Sequence, residues 1–271
     1  MTDFETFLVE IDGAVARVTM NRPRKANCLN GTMWRELKSV FEELDGAEEI
    51  RVVVLAGQGR FFSAGIDLEY LFTVQQTLNR MSEGRKQEYL HHFIIDLQAS
   101  VNAIENCRKP VLAAIQGVCI GGGLDIAAAC DLRYATAKTR FCVKEVDLAI
   151  VADLGVLQRL PGIVGQGIAR ELALTGRQFD GREARSLGLV NGVFATAGEM
   201  QESVMATARG LAAKSPLTLR GIKASMNFSR DHSVAEGLIF VAARNAAMLL
   251  SPDLEEAVSA AMQKREPLFD D

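Results

Sequence analysis

The chain carries no excess of positive charge: 30 lysines and arginines face 34 aspartates and glutamates, a formal net charge of −4. That balance excludes a general attraction to nucleic acid or anionic membranes. Aromatic residues, at 6%, are too sparse and scattered to stack bases. The five cysteines, Cys28, Cys107, Cys119, Cys130 and Cys142, are odd in number and form neither a CxxC pair nor a Cys/His cluster of metal-ligand spacing. Neither a disulfide framework nor a metal site is expected, and a reduced intracellular protein fits. Met1 to Glu10 lacks the basic and apolar regions of a secretory signal, and the ending Leu-Phe-Asp-Asp is not a peroxisomal address. The expected location is the cytoplasm, unless a targeting segment has been removed. Membrane spans are lacking too: the nearest apolar run, 111–129, contains Gln116, Asp125 and three adjacent glycines.

What is present is material for a core. With 48% apolar residues over 271 positions, the chain is long enough for one large domain or a domain with an appendage. Phe7–Asp12 and Ala14–Met20 are β-rich runs around Gly13, which predicts a hairpin ended by Asn21-Arg22-Pro23. Asn30 is placed to cap a helix through Leu44, with Met33, Leu37, Val40, Phe41 and Leu44 at helical spacing. Arg51–Ala56 is a short β-branched run with the composition of a buried strand. A helix at Phe93–Asn106, a strand at Pro110–Ile115, a helix at Leu124–Ala129 and a strand at Leu132–Ala135 continue the alternation, so the fold class is α/β. From about Thr196 helical patterns dominate, with Ser215-Pro216 and Ser251-Pro252 as helix starts. Thr73–Tyr89 is polar and weakly patterned and predicts a mobile segment near a site.

Two turns bear glycine after a predicted strand: Phe62-Ser63-Ala64-Gly65-Ile66-Asp67-Leu68 and Ile120-Gly121-Gly122-Gly123-Leu124-Asp125. Glycine lets the main chain approach a ligand, and free amides at a helix start favour an anion, so two such turns brought together make an oxyanion hole. Tight packing explains a triple glycine equally well. The spacing is neither GxGxxG nor a Walker motif. Three carboxylates lie in apolar company: Asp125, Glu145 and Asp153. Apolar surroundings raise proton affinity, and neighbouring acids hold different protonation states, which suits acid-base chemistry. The plainer alternative for Asp153, before Leu-Gly-Val, is a helix N-cap. Asp147 is read as structural. Ser63 lacks a Gly-x-Ser-x-Gly elbow, and His91, His92 and His232 adjoin neither turn.

Taken together, Asn21-Arg22-Pro23, Phe62 to Leu68, Lys109-Pro110-Val111-Leu112-Ala113-Ala114-Ile115-Gln116-Gly117, Gly121 to Asp125 and Ala129-Cys130-Asp131-Leu132 resemble, in order and spacing, the crotonase superfamily, also called the enoyl-CoA hydratase/isomerase family. The resemblance implies a core of repeated ββα units, placed at 1–195, followed by a helical oligomerisation region at 196–271 that builds trimers or hexamers. It implies that the amides of Ile66 and Gly122 bind a thioester oxygen, with Ala64, Gly65, Asp67 and Leu68 lining the substrate. Arg24, Lys25 and Lys264 stand at family-like positions for coenzyme A phosphates, or are ordinary surface charges. Asp at 125, Glu at 145 and Asp at 153 depart from the hydratases and look like the Δ3,5-Δ2,4-dienoyl-CoA isomerase branch. That branch implies proton removal at C2 by Glu145 and return at C6 by Asp153, with Asp125 tuning or orienting Glu145. No metal or redox cofactor is implied, since coenzyme A arrives with the substrate. The competing readings are a 2-enoyl-CoA hydratase and a non-catalytic acyl-CoA-binding scaffold.

Overall fold

A computed structural model describes residues 2–270. The chain opens with an antiparallel hairpin, β1 (Phe7–Asp12) and β2 (Val15–Met20), paired from Phe7 with Met20 to Asp12 with Val15. A short 3-10 turn at Pro23–Lys25 follows the predicted strand stop. Helix α1 (Gly31–Gly46) is capped by Asn30, whose side chain accepts the Met33 amide at 2.9 Å, and buries the apolar stripe expected of it. Then come β3 (Val52–Gly57), α2 (Leu68–Leu78), α3 (Glu83–Asn106), β4 (Val111–Ile115), β5 (Val118–Ile120) and α4 (Gly122–Ala129). They are followed by β6 (Leu132–Thr136), β7 (Arg140–Cys142), α5 (Val156–Val164), α6 (Gln166–Thr175), β8 (Phe179–Asp180), α7 (Gly181–Ser186) and β9 (Gly192–Phe194). Four helices end the chain: α8 (Ala197–Ala212), α9 (Pro216–Arg230), α10 (Val234–Met248) and α11 (Pro252–Gln263).

The strands form a six-stranded sheet, β1-β2-β3-β4-β6-β9, parallel beyond the hairpin, and a three-stranded sheet, β5-β7-β8. Each central strand of the large sheet is followed by an excursion onto the small one. β4 leads through Gln116-Gly117 into β5, β6 leads into β7, and after β3 the chain brings Ser63 alongside Cys119 in a parallel bridge. This is the repeated ββα plan.

Both faces of the large sheet are covered, so its inner strands are apolar at nearly every position. Val53, Leu55, Ala113 and Ile115 face the main core, with α1, α3 and α4. Val52, Val54, Ala56, Leu112 and Ala114 point the other way, against Met200, Val204, Ala208 and Ala212 of α8. That alternation follows from the two-residue period of a strand.

The expectation of a mobile polar segment at 73–89 is corrected by α2 and α3, which take up nearly all of it. The pattern is weak there because only Val74 of α2 is buried, while Leu71 and Leu78 face a cavity instead of the core. Truncating the α8 contact with Val204→Ala is expected to lower unfolding free energy by roughly 2 kcal/mol, read by denaturant titration, because the cavity left against the sheet cannot fully collapse.

Candidate active site

Leu29 ties down the first glycine turn. Its amide donates to the Gly65 carbonyl at 2.8 Å and its carbonyl accepts the Asp67 amide at 3.0 Å, in a parallel bridge to Ile66. In such a bridge the flanking residues make the bonds, so the N–H of Ile66 points away from Leu29. Gly65, at φ +89°, sits where a side chain is excluded: a Cβ there would lie 2.8 Å from the Ile120 carbonyl oxygen.

The second turn is fixed from the opposite side. The Gly121 amide donates to the Cys142 carbonyl at 3.0 Å, which leaves Gly122 as the first residue of α4, where helical amides lack an internal acceptor. Leu29 and Trp34 crowd Gly122, and a Cβ would meet them at 3.0 and 3.2 Å. Among the described residues neither the Ile66 nor the Gly122 amide has a protein acceptor. Both line one cavity of about 900 Å³.

Glu145 and Asp153 line the same cavity. Glu145 stands beside the second turn, since a Cβ on Gly121 would be 3.2 Å from its Oε1. Its Oε2 is buried without a partner. Burial, and then the negative charge of Asp153, raise the Glu145 proton affinity, and burial raises that of Asp153. Asp125 lies behind them, 1% exposed and outside the cavity lining. Its Oδ1 accepts the Val156 amide at 2.7 Å and its Oδ2 has no partner. Burial, and then repulsion from Glu145, push its pKa up to about 8. The N-cap alternative for Asp153 is not realised: Gly155 occupies that position of α5, and Asp125 supplies the side-chain acceptor from another helix.

The remaining sequence candidates divide. Ala64, Gly65, Asp67 and Leu68 line the cavity. Asp67 is nevertheless engaged, with Arg22 Nη1 2.9 Å from its Oδ2 and the Glu69 amide 3.0 Å from its Oδ1, so it caps α2. Burial pulls its pKa upward, but Arg22 and the amide hold it below the ordinary value. Lys25 is not part of the lining and pairs at 2.8 Å with Glu69, which is. Lys264, in the left-handed conformation after α11, is not part of the lining, and neither is Arg24. Asp147 pairs with Lys144 at 2.5 Å, in keeping with a structural role. Sequence reasoning missed Cys28, Trp34 and the wall from α2 and α3, formed by Leu71, Val74, Leu78, Phe93, Ile94 and Leu97. The weak apolar pattern at 73–89 was the one signal of that wall.

Chemically, two free amides and two carboxyls of raised proton affinity around an apolar cavity suit proton transfer next to a carbonyl whose oxygen gains charge.

The sequence matches the enoyl-CoA hydratase/isomerase family over residues 10–271. It is 48% identical over 259 residues to a peroxisomal Δ3,5-Δ2,4-dienoyl-CoA isomerase of Arabidopsis thaliana, covering 95% of this chain and 93% of that protein. With a mitochondrial enzyme of the same name from Mus musculus it shares 40% over 253 residues, 93% of this chain and 77% of that one. A crystal structure described as a putative enoyl-CoA hydratase from Streptomyces coelicolor superimposes with a TM-score of 0.91 at 30% identity, covering 99% of this chain and 95% of the other. These relatives overturn the cytoplasmic expectation, since those with the isomerase name are peroxisomal or mitochondrial. Free cysteines and a neutral-to-acidic surface suit any reducing compartment, so they did not discriminate.

The Asp125 titration has a signed consequence for stability. Its folded pKa of about 8 stands above the ordinary 3.8, so its contribution is full below about pH 4 and is lost as pH rises through 8. Thermal melts at pH 5 and pH 8.5 are expected to show a smaller fall for Asp125→Asn than for the unsubstituted chain; equal falls would contradict the assignment.

Proposed function

The chain belongs to the enoyl-CoA hydratase/isomerase family and is an enzyme resembling the Δ3,5-Δ2,4-dienoyl-CoA isomerases; on that footing we propose that it converts a 3,5-dienoyl-CoA into the 2,4-dienoyl-CoA in the breakdown of unsaturated fatty acids. The observation that carries this reading is the placement of the acids. Glu145 and Asp153 line the cavity, whereas Asp125 is buried behind it.

A hydratase needs two acids around one water at C2=C3. Here the acid after the triple glycine is withdrawn from the lining and occupied with the Val156 amide. An isomerase needs one proton-transfer group at C2 and another farther along the tail. Glu145 adjoins Gly121, hence the amide proposed to hold the thioester oxygen, which suits the C2 end. Asp153 and Leu154 line the cavity, and Gln98, next in sequence to the lining residue Leu97, reaches the Asp153 carbonyl, which suits the C6 end.

In the reaction the Glu145 carboxylate takes the C2 proton, and the C–H electron pair spreads through the diene onto the thioester oxygen. The amides of Ile66 and Gly122 hold that charge; a donor of this kind is worth roughly 3 to 4 kcal/mol in the transition state. Asp153, as the acid, gives its proton to C6, the double bonds settle at C2 and C4, and exchange with solvent resets both carboxyls. Burial raises the proton affinity of both carboxyls, and the charge of Asp153 adds to that of Glu145; the order of steps requires that the coupled pair start with one proton, carried by Asp153. Asp125, its pKa pushed up to about 8, holds its proton more tightly than an ordinary carboxyl and so opposes ionisation of Glu145 less.

The reaction calls for no metal or redox cofactor, because protons move and no hydride or oxygen does. Lys25 is a candidate for a coenzyme A phosphate once Glu69 releases it, while Arg24 and Lys264 are candidates by resemblance alone. Residues 1–195 form the catalytic part of this proposal and 196–271 the oligomerisation part. Met226, Leu238, Ile239, Leu250 and Met262 of that region are 62–94% exposed. Such a surface suits burial against further copies in a trimer or hexamer.

Purified protein given a 3,5-dienoyl-CoA and, separately, a 2-enoyl-CoA is expected to generate the conjugated 2,4-diene absorbance from the first and to hydrate the second poorly. Hydration alone would reverse the reading. Asp153→Asn is expected to lower kcat by at least about 100-fold, the usual scale of a lost acid-base group, while the dissociation constant for a non-reactive acyl-CoA stays within a few-fold by calorimetry. Unchanged turnover in Asp153→Asn would remove Asp153 from the chemistry, and tight binding without turnover by the unsubstituted chain would favour the scaffold reading.

A further inference from the structure

The residues around Asp153, 151–155, belong to no helix or strand, yet side chains from two helices hold their main chain and one from a third holds Val156, which follows them. Gln98 of α3 donates from Nε2 to the Asp153 carbonyl at 2.7 Å. Arg159 of α5 donates from Nη1 to the Leu154 carbonyl at 3.3 Å. Asp125 of α4 receives the Val156 amide. Arg159 is itself fixed, with Nη2 2.6 Å from Asn102 Oδ1 and 2.7 Å from Glu105 Oε2, and Arg230 of α9 pairs with Oε1 of the same glutamate.

The Arg159 side chain is 9% exposed. A buried ion cluster returns little net stability for its desolvation cost, so its presence here suits a role in geometry. Gln98 follows Leu97, a residue of the cavity wall, and therefore links the wall of the tail cavity to the main chain of the acid.

We propose that Gln98, backed by the Arg159–Glu105 pair, is a positioning residue that sets Asp153 against the C6 end of the substrate. The inference rests on the isomerase reading above. Glu145 and the two amides belong to other segments, so loosening residues 152–155 slows the C6 step and leaves C2 proton removal in place. The C2 proton still passes to Glu145 and the electron pair to the thioester oxygen. Without an aligned acid at C6, the dienolate takes a proton back at C2 from Glu145, which in D2O has exchanged with solvent. The substrate then returns carrying deuterium.

The test uses full-length Gln98→Met, which keeps the length and apolar bulk of the side chain and removes the donor, with Arg159→Met as a second variant. For Gln98→Met, kcat is expected to fall about tenfold, the scale of one lost hydrogen bond at a site where misplacement is costly, with KM within about twofold because ground-state binding is untouched. The deciding readout is deuterium at C2 of recovered substrate, divided by 2,4-diene formed, in D2O. A ratio raised several-fold over the unsubstituted chain, in a variant whose thermal melt shows it folded, supports the inference. Unchanged kcat, or loss of turnover and exchange in equal proportion, overturns it. Should Gln98→Met not fold, Arg159→Met is judged by the same ratio, and failure of both to raise it also overturns the inference. If the unsubstituted chain forms no 2,4-diene at all, the isomerase reading falls first and takes this inference with it; turnover by the unsubstituted chain with an unmoved ratio in the variants sinks the inference alone.

Discussion

The close approach of two glycine-bearing turns is the constraint from which the rest of the site follows. Ser63 and Cys119 meet in a parallel bridge, the Ile120 amide donates to the Ser63 carbonyl at 3.1 Å, and Gly65 lies against the Ile120 carbonyl with no space for a Cβ. Gly123 packs on Ser63 just as tightly, at 2.9 Å for the missing Cβ. Main chain presses on main chain because both turns leave the large sheet from neighbouring parallel strands, β3 and β4, and cross onto the small sheet together. Leu29 then works on both: its backbone orients Ile66 and its side chain bears on Gly122. The unpaired amides are thus a product of the ββα repeat, held by the fold before any ligand arrives, which is the condition for donors that favour developing charge over a neutral carbonyl.

The acids depend on the same frame for their electrostatics. Burial raises the proton affinity of Glu145 and Asp153, and deeper burial does so more strongly for Asp125. The three differ in what they can reach. Two face the cavity; the third anchors the start of α5 through the Val156 amide, with its pKa pushed up to about 8. The fold is shared at a TM-score of 0.91 with a putative enoyl-CoA hydratase, so the fold alone does not select a reaction, and the proposed one rests on which carboxylates face the cavity.

Much of this was readable from the residues. Hairpin, α1 with its Asn30 cap, the buried strands and the glycine turns are set by local periodicity and capping chemistry, so their positions differ from expectation by a residue or so. The acids 125, 145 and 153 were identifiable as charged residues in apolar runs. What local pattern does not encode is the partner across space. Asp67 lines the cavity, but nothing local announced Arg22, 45 positions away, which engages its carboxylate. The alternative reading of Asp153 as an N-cap fails because Asp125 supplies that acceptor from a different helix. The wall at 73–89 was misread as mobile because its apolar side faces a cavity, which leaves a helix with little buried surface to announce itself. Compartment was misread as well, since no physical property of a folded interior distinguishes one reducing lumen from another.

The most direct measurement is a crystal structure with a non-reactive acyl-CoA whose tail extends past C6. The amide nitrogens of Ile66 and Gly122 are expected both to lie about 2.7 to 3.1 Å from the thioester oxygen, with a Glu145 oxygen nearest C2 and an Asp153 oxygen nearest C6. A thioester oxygen bound elsewhere, or an acyl chain that leaves either carboxyl out of reach, would contradict the mechanism at its root.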